Sequence, residues 1–174
     1  MNDQNRRTPP WLFRELEKYV GHKFTIDLAA CAEDALCKKY YTAENSALVQ
    51  KKWPTNGYCN PPFKLFDLFL AKAVEQYDLH GVETCLVGPT GCSQAWFHRL
   101  ARRFTILLPQ QRIVFYASDG SGPTRGADRD TMIYLIGSPW AQRSKGTAGS
   151  FNVLVFENHG MVVTTVNAER LGVK

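Results

Sequence analysis

The sequence predicts an α/β fold, built on one mostly parallel sheet with an antiparallel edge and a C-terminal hairpin. Three observations lead there. Between residues 82 and 108 strand, helix and strand patterns alternate, as the crossovers of a parallel sheet require. After Pro109 the helical patterns stop, and apolar runs follow that are separated by polar, glycine-bearing loops. No internal repeat or linker interrupts the 174 residues, so a single domain over 1–174 is expected.

Taken in order, Thr8-Pro9-Pro10-Trp11 opens a helix, with Thr8 as N-cap and Pro9 where a first-turn proline is tolerated. Leu12, Leu16, Tyr19 and Val20 recur at helical spacing, and Gly21 stops the helix. Its N-terminal amides would suit a ligand carboxylate, although a plain amphipathic start explains the pattern equally. Phe24–Leu28 reads as a strand, followed by the small residues Ala29, Ala30, Cys31 and Ala32. A strand end flanked by small side chains lets a ligand approach the backbone, and Asp27 equally suits capping the next turn. Residues 33–57 are polar and irregular, with Tyr40-Tyr41 as a short strand and Glu44 and Asn45 just past it. Those two could meet ribose hydroxyls or simply occupy a solvated loop.

Tyr58-Cys59-Asn60-Pro61-Pro62-Phe63 is the stretch with chemistry in it. Proline fixes φ, donates no hydrogen bond, and pushes the residue before it out of the α region. Asn60 is therefore expected at an extended strand end, beside carbonyls that cannot enter a ladder and a flat apolar ring. Such a cluster of acceptors suits an amino group on a planar base. A rigid strand-to-helix turn with Phe63 in the core is the alternative. A helix follows from Lys64 to about Tyr77, ended by His80-Gly81. Val82–Val87 is a strand, Gly88–Gly91 a loop, and Ser93 caps a helix with Trp96, Phe97, Leu100 and Ala101 on its core face. Trp11, Trp96 and Phe97 are expected in the core and His98 in a structural role. Strands are expected at Phe104–Leu108, Arg112–Tyr116, Thr131–Ile136 and Phe151–Phe156, with Asn158-His159-Gly160 turning into a last strand from Met161.

Composition narrows the function classes. Hydrophobic residues are 44% and charged residues 21%, the balance of an ordinary globular chain. No apolar run approaches the ~18 residues of a membrane span, and the N-terminus has no signal-peptide segment, so a cytoplasmic protein with no membrane partner is expected. Five cysteines and four histidines lack ligand spacing, so neither a metal nor a disulfide framework is expected. The net charge of +5 permits a polyanionic partner without requiring one. Arg112, Arg125, Arg129, Arg143 and Lys145 are candidate phosphate contacts, and serve equally as solvated charges.

Together these motifs resemble a phage-type, Dam-like DNA N6-adenine methyltransferase. The resemblance rests on Thr8-Pro9-Pro10-Trp11-Leu12-Phe13, the Asp27 strand with its small residues, Asn60-Pro61-Pro62-Phe63, Cys85–Val87 with Trp96-Phe97-His98, and the Arg112–Phe115 strand. It covers roughly residues 8–136, and leaves 137–174 as a C-terminal loop and hairpin. The interval between Asp27 and Asn60 is too short for a recognition domain. The resemblance implies a Rossmann-like class I methyltransferase domain and S-adenosylmethionine as cofactor. It implies double-stranded DNA with a flipped adenine as substrate, in a phage or prophage setting within a bacterial host. Asn60, Pro61, Pro62 and Phe63 would then be catalytic, and Thr8, Pro9, Asp27, Ala29, Ala30 and Asn60 would bind cofactor. Transfer to an RNA base or a protein glutamine is the rival within the class. A catalytically idle nucleic-acid-binding or anti-restriction protein is the rival outside it.

Overall fold

A computed structural model describes residues 6–109, 112–117, 119–123, 130–137, 151–157 and 160–165, the last two spans as backbone only. Seven strands form one sheet: β1 (Ile26–Asp27), β2 (Gly57–Cys59), β3 (Thr84–Pro89), β4 (Thr105–Pro109), β5 (Thr131–Ile136), β6 (Phe151–Glu157) and β7 (Gly160–Thr165). Three α-helices accompany them: α1 (Pro10–Val20), α2 (Phe66–His80) and α3 (Ala95–Ala101). The strand order is β1-β2-β3-β5-β4-β6-β7.

Only β1–β2 and β2–β3 are parallel neighbours; β3–β5, β5–β4, β4–β6 and β6–β7 are antiparallel. This corrects the expectation of a parallel sheet with antiparallel pairing confined to one edge. β5 runs through the interior of the sheet, and its residues explain why. Met132, Tyr134 and Ile136 pack into one core while Ile133 and Leu135 pack into the other. A strand apolar on both faces is stable only where both faces are covered. β6 and β7 do form the expected antiparallel hairpin at one edge, and its turn residues 158–159 lie outside the described residues.

The same alternation runs through β3, with Leu86 in one core and Cys85 and Val87 in the other. α1 closes one face through Leu12, Leu16 and Val20. α2 and α3 close the other, α2 through Phe66, Phe69, Leu70 and Ala73 and α3 through Phe97, Leu100 and Ala101. Burying a leucine- or phenylalanine-sized side chain stabilises by about 1.5–3 kcal/mol, so these two apolar layers dominate the energetics. Trp96 packs against Phe66 and Tyr134 at the margin of its layer, and Trp11 is exposed rather than core.

Several local expectations shift. Pro9, not Thr8, is the N-cap of α1, and no side chain caps that helix. Gln94 rather than Ser93 precedes α3, because Gln94 N–H donates 2.8 Å to the Gly91 carbonyl and Ser93 is spent in that turn. A 3-10 turn (Phe63–Leu65) separates the proline pair from α2, which continues to His80. Gly21 and Gly81 end α1 and α2 with φ of 78° and 66°, as expected of left-handed helix stops. Tyr40 makes a single parallel bridge to Asp27 instead of a strand. Residues 112–116 are extended, with Ile113 and Phe115 buried and Val114 exposed, but they form no ladder. Tyr116 instead makes isolated antiparallel bridges to Arg7 and to Pro123; Arg7 N–H donates to Tyr116 C=O at 3.0 Å, and Tyr116 N–H returns the bond at 2.9 Å.

Candidate active site

The chain leaves β1, touches it again on one side at Tyr40, and then forms β2 on its other side. That reversal is a topological switch point, where a crevice opens beyond the carboxyl ends of the strands. A cavity of about 980 Å³ occupies this position, at the upper end of the range for small-molecule sites. Asp27–Ala32, Glu44 and Asn60–Leu65 line it, and Arg6, Arg7 and Thr8 cross it from the N-terminal side.

β2 ends at Cys59, so Asn60 is the first residue beyond the ladder, as its prolines require. Its Nδ2 donates to the Arg6 carbonyl at 3.0 Å and to Thr8 Oγ1 at 3.1 Å. A carbonyl only accepts, so this contact settles which end of the carboxamide is nitrogen. Oδ1, an acceptor, makes no hydrogen bond among the described residues. Thr8 Oγ1 lies 2.7 Å from the Tyr58 hydroxyl. Tyr58 is buried, wedged against Phe13 and Phe24 at centroid distances of 5.0 and 5.5 Å, and its burial pushes the phenol pKa well up. Phe63 is half-buried and lines the cavity, which places it outside the core. Pro61 is buried and Pro62 partly so, and both line the cavity as well.

Asp27 is 4% exposed. Its Oδ1 accepts from Ala29 N–H at 3.3 Å and its Oδ2 from Leu36 N–H at 3.2 Å. Those bonds favour the carboxylate, but desolvation outweighs them and raises the pKa from 3.8 to about 6. Asp27 thus ends β1 and caps the loop through Leu36, the capping role that was one of its two readings in the sequence. Ala29 and Ala30 line the cavity; Pro9 does not. The start of α1 offers few amides because Pro9 and Pro10 have none, and Leu12 N–H is used by the Pro9 carbonyl.

Two cavity residues, Arg7 and Tyr58, escaped the sequence reading, whereas Glu44 was among its candidates for ribose hydroxyls. Arg7 donates from Nη1 to the Glu33 carbonyl at 3.2 Å, while its buried Nε has no hydrogen-bond partner among the described residues. The adjacent pair Arg6-Arg7 before the Thr-Pro motif was the available signal. Glu44 stands on the cavity wall, with its pKa lowered first by a backbone hydrogen bond and then by the Thr42 side chain. Tyr58 carries Thr8, and only the fold could bring them together. Arg112 is exposed, with Nε 3.8 Å from Asp130 Oδ1, and does not line the cavity. Arg125, Arg129, Arg143 and Lys145 lie outside the described residues. Among the described residues there is no group of side chains that could hold a metal and no helix long and apolar enough to cross a membrane.

A mixed sheet covered on both faces, with a crevice at its strand switch lined by Asn60, defines an α/β domain of the kind that binds ligands beyond its strand ends. The family model described as DNA N-6-adenine-methyltransferase (Dam) matches residues 2–171, and the chain belongs to that family. It is similar to the DNA N-6-adenine-methyltransferase of Escherichia phage T1, with 35% identity over 92 residues. That match spans 52% of this chain and 37% of the phage T1 protein, so the chain aligns with well under half of that relative. The DNA N-6-adenine-methyltransferase of Haemophilus phage HP1 is 25% identical over 131 residues, spanning 74% of this chain and 76% of its own length.

Proposed function

We propose that this chain transfers a methyl group from S-adenosylmethionine to the N6 amine of adenine in DNA, on a Rossmann-like class I methyltransferase domain. The observation that carries the reading is Asn60, a cavity-lining side chain whose two N–H groups are committed to Arg6 and Thr8 while its oxygen makes no hydrogen bond among the described residues. Family membership and the printed names of the phage relatives favour adenine in DNA as the acceptor.

S-adenosylmethionine, when bound, supplies an electrophilic methyl group. The residues present suit it. Ala29, Ala30 and Ala32 leave room at the end of β1, and Glu44 stands past the neighbouring bridge, where a carboxylate accepts from ribose hydroxyls. The buried Nε of Arg7, unpartnered among the described residues, offers a donor to a ligand carboxylate.

The N6 amine is a poor nucleophile because its lone pair is delocalised into the ring. Accepting its N–H groups at Asn60 Oδ1 and the Pro61 carbonyl favours a more tetrahedral nitrogen, with the lone pair out of the ring plane. Asn60 has no carboxylate with which to take a proton, so its contribution is positioning and electrostatic stabilisation. Phe63, half-buried on the cavity wall, presents a ring on which the base stacks. The base must leave the duplex to arrive there.

The test is product analysis after incubating the protein with labelled S-adenosylmethionine and DNA, RNA and protein acceptors. The reading predicts label in DNA as N6-methyladenine. Label confined to RNA or to glutamine would reassign the substrate, and failure to bind the cofactor in calorimetry would leave an idle nucleic-acid-binding protein.

A further inference from the structure

We infer that Thr8 and Tyr58 are positioning residues, which hold the Asn60 carboxamide with its oxygen toward the substrate amine. The inference rests on the reading of Asn60 as the amine acceptor. A carboxamide has two nearly isosteric orientations, and only one serves here. Turned over, Asn60 would aim its NH₂ at the N–H groups of the target, donor against donor, and its oxygen at the Arg6 carbonyl.

Three groups make the choice. The Arg6 carbonyl accepts from Nδ2 at 3.0 Å, and Thr8 Oγ1 accepts from the same nitrogen at 3.1 Å. Thr8 alone would be a poor guide, because a hydroxyl can donate as readily as it accepts and would adapt to either orientation. The Tyr58 hydroxyl, 2.7 Å from Thr8 Oγ1 with either oxygen able to donate, holds Thr8 Oγ1 in place beside Nδ2, while the Arg6 carbonyl, which can only accept, sets the polarity. Tyr58 is itself immobilised, 1% exposed and packed edge-on against Phe13. The segment that delivers Arg6 and Thr8 is tied down between them, where Arg7 exchanges both backbone hydrogen bonds with Tyr116. Position thus passes from a buried phenol through Thr8 to Asn60, whose polarity the Arg6 carbonyl fixes, and these residues need not touch the substrate.

The experiment compares wild type, Thr8→Val, Thr8→Ser, Tyr58→Phe and Asn60→Ala with S-adenosylmethionine and duplex DNA. kcat and KM are measured together with cofactor Kd by calorimetry and thermal unfolding. Thr8→Val keeps the shape of the side chain and removes the acceptor. Loss of one such hydrogen bond and of the orientation it sets lowers kcat by about tenfold or more. Cofactor Kd stays within about twofold of wild type, as expected when a lost contact does not touch the ligand. Thr8→Ser restores kcat, and Tyr58→Phe lowers it in the same direction with cofactor Kd unchanged. A wild-type kcat in Thr8→Val beside an inactive Asn60→Ala overturns the inference alone. So does a Thr8→Val defect confined to cofactor Kd, which would make Thr8 a cofactor contact, or a Thr8→Ser variant as impaired as Thr8→Val. Activity retained in Asn60→Ala overturns the reading of Asn60 itself.

Discussion

Gly88 on β3 lies against the ring of Phe66, the first residue of α2. A Cβ at residue 88 would run into the ring at Cε2, Cδ2 and Cζ. Phe66 follows directly on the turn that contains Phe63, so this contact fixes where α2 begins and, with it, the height of Asn60-Pro61-Pro62 above the sheet. The ring is buried and packed against Tyr134 at 5.2 Å, which leaves it little room to yield. Gly88→Ala is therefore an overpacking substitution, and should cost about 1–3 kcal/mol in urea unfolding with an unchanged m value. A stability equal to wild type would mean that α2 can slide on β3.

Asp27 makes stability depend on pH in an unusual direction. Its carboxyl titrates at about 6 in the folded chain against 3.8 when free, because burial disfavours the charge. Between those two values the folded state binds the proton and the unfolded state does not, so stability falls as pH rises through the window. Above about pH 6 both states are ionised and the full penalty applies; below 3.8 it is absent. The difference in unfolding free energy between wild type and Asp27→Asn should shift against wild type by roughly 3 kcal/mol from pH 3.8 to pH 7. A flat difference would show that the two amides at Asp27 fully offset its burial.

Binding to DNA should weaken with rising salt, as the release of counterions from phosphates requires. Arg112 is the described candidate for such a contact. It is only loosely held by Asp130 at 3.8 Å, with both side chains largely exposed, and that pair contributes little to stability. Arg112→Ala should lower affinity by a similar factor on every sequence and reduce the salt slope by about one unit. An unchanged slope removes Arg112 from the interface.

Glu44 tests the proposed cofactor end of the cavity separately. Glu44→Ala should raise the S-adenosylmethionine Kd by about tenfold or more in calorimetry while leaving thermal unfolding unchanged, since the side chain is exposed and serves no packing role. An unaltered Kd would return Glu44 to the status of a solvated loop residue.

Much of this was readable along the chain, for reasons that differ from place to place. The apolar periodicity of α1 and the two-sided apolar run of β5 are local signals, and both elements appear where they were expected. That run calls for cover on both faces, but which elements supply it, α1 on one face and α2 and α3 on the other, and which strands flank β5 are set by the fold and not by a local pattern. Trp53 went unread within a polar stretch. It is buried because Nε1–H donates to the Ala47 carbonyl at 2.7 Å and its backbone N–H donates to the equally buried Gln76 side chain at 2.7 Å. In the site, Asn60-Pro61-Pro62-Phe63 announced itself through backbone chemistry alone. Thr8 was read as a cap because it precedes prolines, and its partnership with Tyr58 spans a separation that only folding closes.

The most direct measurement is the N6-methyladenine content, by mass spectrometry, of DNA incubated with S-adenosylmethionine and either wild type or Asn60→Ala. Circular dichroism and cofactor calorimetry on the same preparations establish that both are folded and loaded. The account predicts N6-methyladenine with wild type. With Asn60→Ala it predicts a loss of at least about 10²–10³-fold in rate, with fold and most of the cofactor affinity retained. Methylation by Asn60→Ala at the wild-type rate would contradict it.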